Sequence, residues 1–236
     1  MEYVIKFRDR VARINRALLK EGLVVLTWGN ASAVDRNTGR IFIKSSGVPF
    51  ENLKAEDISE VDFLGNVFTS FNPSVDTPTH IEIYKAFPKI SGIVHTHSHY
   101  ATVFAQANMA IPCLGTTHAD HFKGDIPILP ELSNHEIKDN YELHTGQKIV
   151  SFFKEHKIDP LEMPAILLPK HGVFVLGESI EKALENSIIL EKIAKLAFET
   201  LTLAKIHNRE LAFASDMVDK HFKRKHGPNK YYGQEK

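Results

Sequence analysis

The chain is nearly without cysteine, having one in 236 residues. That residue, Cys113, excludes a disulfide within the chain and cannot by itself build a thiolate metal site. A tightly held cation would therefore need ligands from histidine, aspartate or glutamate.

An excess of charge of either sign is also missing, since lysine plus arginine and aspartate plus glutamate both number 29. Nucleic acids and anionic membranes attract proteins with a positive surplus, so we expect neither as a partner. An anionic small molecule would be held by a local group of residues.

Long apolar runs are absent as well. No stretch approaches the roughly 18 uninterrupted apolar residues of a membrane span, and the first residues carry charges in every turn rather than the apolar segment of a secretion signal. We therefore expect a cytoplasmic protein. Internal repeats and Pro/Ser-rich linkers are not found either, so we expect a single domain over residues 1–236.

What the sequence does contain is a series of periodic apolar segments. Helical spacing predicts an amphipathic helix from about Val4 to Lys20, ended by Gly22. Further helices are predicted near residues 77–87, 100–107, 179–206 and 215–225. Short apolar runs predict strands at residues 23–26, 41–44, 93–97, 165–168 and 173–176, the first two forming an antiparallel pair. The class predicted is mixed α/β.

Histidine is plentiful, with thirteen in the chain. His95 and His97 alternate on a predicted strand and so share one face, while His171 lies on a tight connection between two strands. Three such ligands with one open position are typical of catalytic zinc sites. An H-x-H pair by itself is also compatible with ordinary surface histidines.

Polar residues near two turns admit two interpretations each. Asp76 precedes the predicted helix that has Thr77 as its N-cap and Pro78 at its first position, so it is either part of a cap or a metal ligand. Residues 44–47 (KSSG) and 72–74 (NPS) are either plain turns or a site that offers hydroxyl, N–H and ammonium groups to a phosphate.

Taken together, the segments resemble the L-ribulose-5-phosphate 4-epimerases of the class II aldolase and epimerase superfamily. The matching segments occur in family order from residue 26 to residue 234: LTWGNASAV at 26–34, KSSGV at 44–48, DTPTH at 76–80, GIVHTHS at 92–98, GTTHAD at 115–120, RKHG at 224–227 and YYGQ at 231–234. An ordered set of this length is far more specific than the H-x-H pair.

The resemblance implies a fold and a metal centre. The fold would be a single mixed α/β/α domain with a central, largely antiparallel sheet flanked by helices. The metal, Zn²⁺ or else Mn²⁺ or another divalent ion, would be held by Asp76, His95, His97 and His171.

It further implies a substrate site and two proton-transferring groups. The sugar phosphate would contact Gly29, Asn30, Lys44, Ser46, Gly47, Ser74 and Val75. Asp120 and Tyr232 correspond to the acid and base. In the family the tyrosine comes from a neighbouring subunit, which implies a homotetramer with active sites at subunit interfaces. A tyrosine base needs nearby positive charge, for which the metal, His221, His226 and Lys230 are candidates.

Two positions depart from the family pattern. Position 75, commonly serine, is Val75, which offers only its backbone N–H. Loss of one hydroxyl hydrogen bond to a phosphate costs roughly 1.5 to 3 kcal/mol when nothing replaces it. Residues 168–170 (LPK), before His171, are less polar than in the family.

The implied activity is interconversion of L-ribulose 5-phosphate and D-xylulose 5-phosphate by cleaving and re-forming the C3–C4 bond. One alternative is a ketose-1-phosphate aldolase of the same superfamily, in which a glutamate replaces Asp76. A more distant alternative is a non-enzymatic interaction module like the cytoskeletal relatives that have lost the metal ligands. Arabinose, ascorbate and xylulose breakdown all use such an epimerase.

Overall fold

The computed structural model of the chain describes residues 2–227 and 230–232. Its centre is a six-stranded sheet in which every neighbouring pair of strands is antiparallel. The strands are β1 Asn30–Asp35, β2 Arg40–Lys44, β3 Ile58–Asp62, β4 Gly92–Thr96, β5 Ala165–Leu168 and β6 Gly172–Gly177. Their order across the sheet is β3-β2-β1-β4-β6-β5.

Helices cover both faces of this sheet. They are α1 Glu2–Lys20, α2 Thr77–Ala86, α3 His99–Gln106, α4 Thr116–Ala119, α5 Asn134–Lys138, α6 Tyr141–Glu155, α7 Ile180–Ile206 and α8 Ser215–His226. Helices α1, α3 and α7 pack on one face, and α2 and α6 on the other. The predicted class, an antiparallel sheet flanked by helices, is confirmed. Among the described residues, no helix has the length and apolarity that crossing a bilayer demands.

The two faces follow from strand periodicity. Val94 belongs to the apolar cluster beneath α1, α3 and α7, whereas Ile93 belongs to the cluster beneath α2 and α6. Since successive side chains point to opposite faces, His95 lies on the same face as Ile93. The histidine pair is thereby directed towards the α2 and α6 layer.

Helix α1 ends as predicted at Gly22, whose φ of 68° is the left-handed conformation that favours glycine. The Leu23 N–H donates to the Leu18 carbonyl at 2.9 Å and the Gly22 N–H donates to that of Leu19 at 3.0 Å. This pair of bonds is a Schellman motif. It satisfies the last carbonyls of the helix and turns the chain sharply.

The strand predicted at residues 23–26 is wrong. Leu23 and Val24 are buried, but Val25 and Leu26 are exposed and Leu26 has a φ of 53°, which a strand does not allow. The apolar run instead closes the helix terminus. The partner of β2 is therefore β1, whose NASAVD sequence lacks the large apolar residues by which strands are recognised.

Candidate active site

Three histidines predicted as metal ligands meet at one end of the sheet. Their potential ligand atoms lie within 4.8 Å of one another in the group His95, His97 and His171. His95 is on β4, His97 follows it, and His171 precedes β6; these two strands are neighbours in the sheet. Residues distant in sequence thus form one group.

The close approach of the β5–β6 turn depends on glycine. A Cβ at Gly172 would lie 2.5 Å from the Thr96 carbonyl oxygen and 2.8 Å from His97 Cδ2, both inside van der Waals contact. Within the same turn, Lys170 has a φ of 58° and the His171 N–H donates to the Leu168 carbonyl at 3.2 Å. The turn therefore holds His171 directly against His97.

Hydrogen bonds orient two of the three imidazole rings. His95 Nδ1 lies 3.0 Å from the Val173 carbonyl oxygen, and because a carbonyl only accepts, Nδ1 donates this bond and Nε2 is the nitrogen left for a metal. His171 Nδ1 lies 3.0 Å from the Tyr141 hydroxyl. Burial, followed by the nearby His95 and His97, lowers the pKa of His171 to about 4. Neutral imidazole is the form that binds metals.

Asp76 occupies the N-cap position of α2, one residue earlier than predicted, yet its side chain does not cap the helix. The carboxylate oxygen Oδ2 accepts hydrogen bonds from Asn30 Nδ2 at 2.7 Å and from the Ser74 hydroxyl at 3.4 Å. Burial raises the pKa of Asp76, but His95, His80 and the Asn30 bond outweigh burial and hold the pKa below its usual value. Asp76 is an ionised group beside the histidines.

Asn30 connects the carboxylate to the histidines through the sheet register. Asn30 on β1 is paired directly with His95 on β4, so the two side chains share a face and are neighbours. A histidine triad with an adjoining carboxylate is a donor set that fits a divalent transition metal. Imidazole and carboxylate suit zinc, and equally manganese, cobalt or nickel.

The two segments predicted to hold phosphate run side by side next to this group. The Ser46 N–H donates to the Asn72 carbonyl at 3.0 Å, and the Ser74 N–H donates to the Lys44 carbonyl at 3.2 Å. The Ser74 hydroxyl also accepts from Asn30 Nδ2 at 3.0 Å. Hence one hydrogen-bonded path leads from the predicted phosphate loops to Asp76, one of the predicted metal ligands.

Two backbone groups of these loops face outwards. Gly47 and Val75 are exposed, with 64% of Val75 accessible to solvent. In the described part of the chain, neither N–H donates a hydrogen bond to another backbone group. Both are available to an anion, which is the one contribution predicted for Val75.

Lys44 is buried, unlike most lysines. Its Nζ donates to the Ser45 carbonyl at 3.2 Å and lies 4.7 Å from the centroid of the Phe50 ring. No carboxylate lies within 4.0 Å of Nζ among the described residues. Burial lowers the pKa of Lys44 to about 8, so the ammonium is still charged at neutral pH and is suited to an anionic ligand.

Gly29, predicted to contact substrate, has a clear packing requirement. Its φ is 93°, and a Cβ there would lie 2.6 Å from the His95 carbonyl oxygen. Glycine at this position lets the start of β1 approach β4 closely.

Asp120 and Tyr232 are brought together, but with α8 rather than with the histidines. The Asp120 carboxylate accepts from Arg224 Nε at 2.8 Å, from Arg224 Nη2, and from His221 Nδ1 at 3.1 Å. The Tyr232 ring lies 4.9 Å from the Arg224 guanidinium carbon and 4.8 Å from Lys225 Nζ. Within residues 2–227 and 230–232, no hydrogen bond joins this pair to the histidine group.

The cations that lie against the Tyr232 ring are Arg224 and Lys225, whereas the candidates predicted were the metal, His221, His226 and Lys230. His226 Nε2 instead lies 2.9 Å from the Asp120 backbone carbonyl. Burial raises the pKa of Asp120, but hydrogen bonds from Arg224 and His221 reverse the direction and lower it. Gly233 and Gln234, the end of the YYGQ segment, lie outside the described residues.

Two features were not foreseen from sequence. Tyr141, at the start of α6, has no motif that marks it, yet it touches His171. A second group of possible metal ligands, His135, Asp139 and His144, surrounds the junction of α5 and α6. Its members are more exposed than the histidine triad. His144 Nε2 and Asp139 Oδ2 are 3.6 Å apart.

Comparison with known proteins identifies the family of the chain and its fold. Residues 9–198 match the family described as Class II Aldolase and Adducin N-terminal domain. An L-fuculose 1-phosphate aldolase structure aligns with a TM-score of 0.74 and 21% identity, over 93% of this chain and 95% of that one. YgbL from Klebsiella pneumoniae aligns with a TM-score of 0.72 and 24% identity, over 91% and 97%.

A third structure, the L-fuculose-1-phosphate aldolase from Thermus thermophilus, aligns with a TM-score of 0.66 and 21% identity, over 90% of this chain and 100% of that one. At such identities the structural matches establish a shared fold. The family match covers most of the chain. The chain therefore belongs to the family of class II aldolase and adducin N-terminal domains.

Proposed function

We propose that this protein is a metal-dependent epimerase that interconverts L-ribulose 5-phosphate and D-xylulose 5-phosphate. The main support is a continuous series of contacts that starts at Asn30, the neighbour of His95 in the sheet. Asn30 donates to Asp76 and to Ser74, and the Ser74 N–H donates to the Lys44 carbonyl. This series joins a metal donor set to the loop of Lys44, a buried lysine that has no carboxylate partner among the described residues. A ketose phosphate needs both, one for its carbonyl end and one for its phosphate.

The chemistry of the substrate sets the mechanism. The hydrogen on C4 is not adjacent to the C2 carbonyl, so it is not acidic and simple enolisation cannot invert C4. Removal of the C4 hydroxyl proton with cleavage of C3–C4 gives the enolate of dihydroxyacetone and glycolaldehyde phosphate. Rotation of the aldehyde and re-formation of the same bond on its other face, with return of the proton to the C4 oxygen, completes the inversion.

The chain's own residues have separate tasks in this scheme. His95, His97, His171 and Asp76 would hold a divalent metal, which when bound supplies Lewis acidity at the carbonyl end. The Lys44 ammonium and the free N–H groups of the phosphate loops keep the aldehyde fragment in place between cleavage and re-addition. Retention of the fragment makes the second bond-forming step effectively intramolecular.

Proton transfer at the C4 oxygen is assigned to Asp120 and Tyr232 of a neighbouring copy in a homotetramer. Supporting this, both residues lie together against α8, and Tyr232 is 57% exposed. An exposed group that makes no contact with the histidines of its own chain can complete the site of a neighbouring copy across a subunit interface. Asp120 is held by Arg224 and His221, and these would orient it.

A ketose-1-phosphate aldolase is the second candidate, because two of the matching structures are described as L-fuculose 1-phosphate aldolases. Both reactions cleave a bond next to a ketose carbonyl; the aldolase releases its fragments. The epimerase is favoured by Asp76. This short carboxylate is tethered by Asn30 at 2.7 Å, so it is held as a ligand rather than left free to move a proton.

The test is conversion of L-ribulose 5-phosphate to D-xylulose 5-phosphate by zinc- or manganese-loaded protein, compared with a chelated sample, with free glycolaldehyde phosphate assayed in parallel. His97→Asn should lose both metal and turnover. His207→Asn, at an exposed position after α7, is the matched control and should keep both.

The outcomes separate the candidates. Metal-dependent D-xylulose 5-phosphate without released aldehyde supports the epimerase. Release of glycolaldehyde phosphate in proportion to the loss of substrate would contradict the epimerase and support the aldolase. Full metal occupancy without any turnover would mean that L-ribulose 5-phosphate is not the substrate.

A further inference from the structure

Tyr141 is the side chain whose contact with the histidine group no motif explains. It is the first residue of α6 and is partly buried. Its hydroxyl lies 3.0 Å from His171 Nδ1, with the two rings 6.1 Å apart and tilted by 35°. The contact is a hydrogen bond between the phenol oxygen and one imidazole nitrogen.

The direction of the bond follows from the chemistry of metal binding. An imidazole that ligates through Nε2 carries its proton on Nδ1 and needs an acceptor for that N–H. For His95 the acceptor is the Val173 carbonyl. For His171 the acceptor available is the Tyr141 oxygen. If the phenol donated instead, Nε2 would bear the proton and could not bind a cation.

The position of Tyr141 is set by contacts with the helix that follows Asp76. The Thr79 hydroxyl of α2 donates to the Glu142 carbonyl. Gly146 of α6 packs so closely on α2 that a Cβ there would lie 2.9 Å from Thr79 Cα. Tyr141 is further held by its own carbonyl, which accepts from the Thr145 hydroxyl at 2.8 Å. The phenol is thus placed by the same two helices that flank the metal group.

We infer that Tyr141 is a positioning residue for the proposed metal centre: it accepts the Nδ1–H of His171 and so fixes the tautomer and orientation in which His171 binds the cation. This inference rests on the proposed function insofar as His171 is a ligand. It assigns to α6 a role in the centre beyond packing on α2. Of the two ring-orienting acceptors, it is the one that a side-chain substitution can remove.

The test is Tyr141→Phe, which deletes one oxygen and keeps the ring. Removal of a partner that orients a metal ligand weakens metal binding by about 10- to 100-fold, and we expect that loss for Co²⁺ and Zn²⁺ in competition with a chelating dye. The visible absorption of the Co²⁺ protein should also change, because the ligand field depends on how His171 is oriented. Tyr3→Phe, an exposed tyrosine on α1, is the matched control.

Two controls exclude a second cobalt site and a loss of stability as causes of weaker metal binding. The experiment is repeated in a His144→Asn background, which removes the exposed ligand group near α5 as a second source of cobalt signal. The metal-free variant is also melted; an unchanged Tm, together with weaker binding, excludes a purely structural effect.

Neither readout requires turnover, so the inference and the proposed reaction can fail separately. Wild-type affinity and an unaltered cobalt spectrum in Tyr141→Phe would overturn the positioning role. Failure of the unaltered protein to bind any cation at the histidines would instead remove the metal-dependent function itself.

Discussion

At the scale of single residues, Asp76 shows that a position in a helix does not assign a role. Its place at the start of α2 is the place of an N-cap, but its carboxylate makes no capping bond. Asn30 and Ser74 instead donate hydrogen bonds to its Oδ2 atom and hold the carboxylate near His95. These partners come from another strand and loop, so tertiary contacts direct the carboxylate away from the helix end and towards the histidines.

Lys44 gives a prediction at the same scale. Lys44→Met should stabilise the protein at pH 7 while weakening binding of the sugar phosphate. The buried ammonium has its pKa lowered from 10.5 to about 8, and a tenfold change in proton affinity corresponds to about 1.4 kcal/mol. Allowing for the lost bond to the Ser45 carbonyl, we expect a gain of about 2 kcal/mol in the free energy of unfolding.

The sign of the pH dependence follows from the lowered pKa. The unfolded chain binds the proton more tightly, so the folded state is penalised in full below pH 8 and the penalty disappears as the pH rises towards 10.5. Urea unfolding at pH 7 and at pH 10 should therefore show a gain that shrinks with pH. Lys89→Met, at an exposed lysine, should show no gain at either pH. An equal gain at both pH values would contradict the argument.

At the scale of elements, the turn between β5 and β6 positions the third histidine. The turn can lie against β4 because Gly172 has no side chain to meet Thr96 and His97. Strand β1 could not be predicted in this way. Its residues are small or polar and form no apolar run, although all six are buried. Strands covered on both faces need residues that fit the helices above them, not large apolar ones alone.

Gly172→Ala should therefore damage stability and metal binding together. A methyl group 2.5 Å from a backbone oxygen forces the turn away from β4, with an expected cost of about 3 kcal/mol. Gly39→Ala is the control, since Gly39 has a φ of 67° but open space around it. In that variant only the unfavourable backbone conformation lowers the free energy of unfolding, by about 1 kcal/mol. Thermal unfolding and zinc titration of both variants compare their stability and their zinc affinity. Wild-type zinc affinity in Gly172→Ala would contradict the proposed role of the turn.

At the scale of the whole molecule, the two candidate groups of site residues are carried by different elements of the chain. The histidines and phosphate loops gather at one end of the sheet, while Asp120, Arg224 and Tyr232 gather where α4 meets α8. Within one copy, no hydrogen bond among the described residues joins the Asp120 group to the histidine group. An active assembly would put the Asp120 group of one copy against the histidine group of another.

Mixing two inactive variants tests this directly. Tyr232→Phe should bind metal normally but turn over slowly, and His97→Asn should lack metal. Co-refolded in equal amounts as a tetramer, they form some interfaces at which an intact histidine group meets an intact Tyr232. Random assembly restores about a quarter of the sites, and activity should rise accordingly. Mixtures no more active than the separate variants would place both residues in one subunit's site.

Local features could be predicted from the pattern of residues along the chain: the amphipathic first helix and its end at Gly22, the strands that carry the histidines, and the shared face of His95 and His97. These depend on backbone periodicity and on glycine's access to positive φ, which act over a few residues. The motifs also placed His171 in the same site, by resemblance to the family.

The partners that those residues contact depend on how the elements pack together. The sheet order sets β4 between β1 and β6, and this order brings Asn30, His95 and His171 together. The packing of helices and loops brings the Asp76 carboxylate to Asn30, the Tyr141 hydroxyl to His171, and Asp120 to Arg224. Such contacts join residues between 30 and 104 positions apart, and chain periodicity carries no information over those distances because they depend on how whole elements pack.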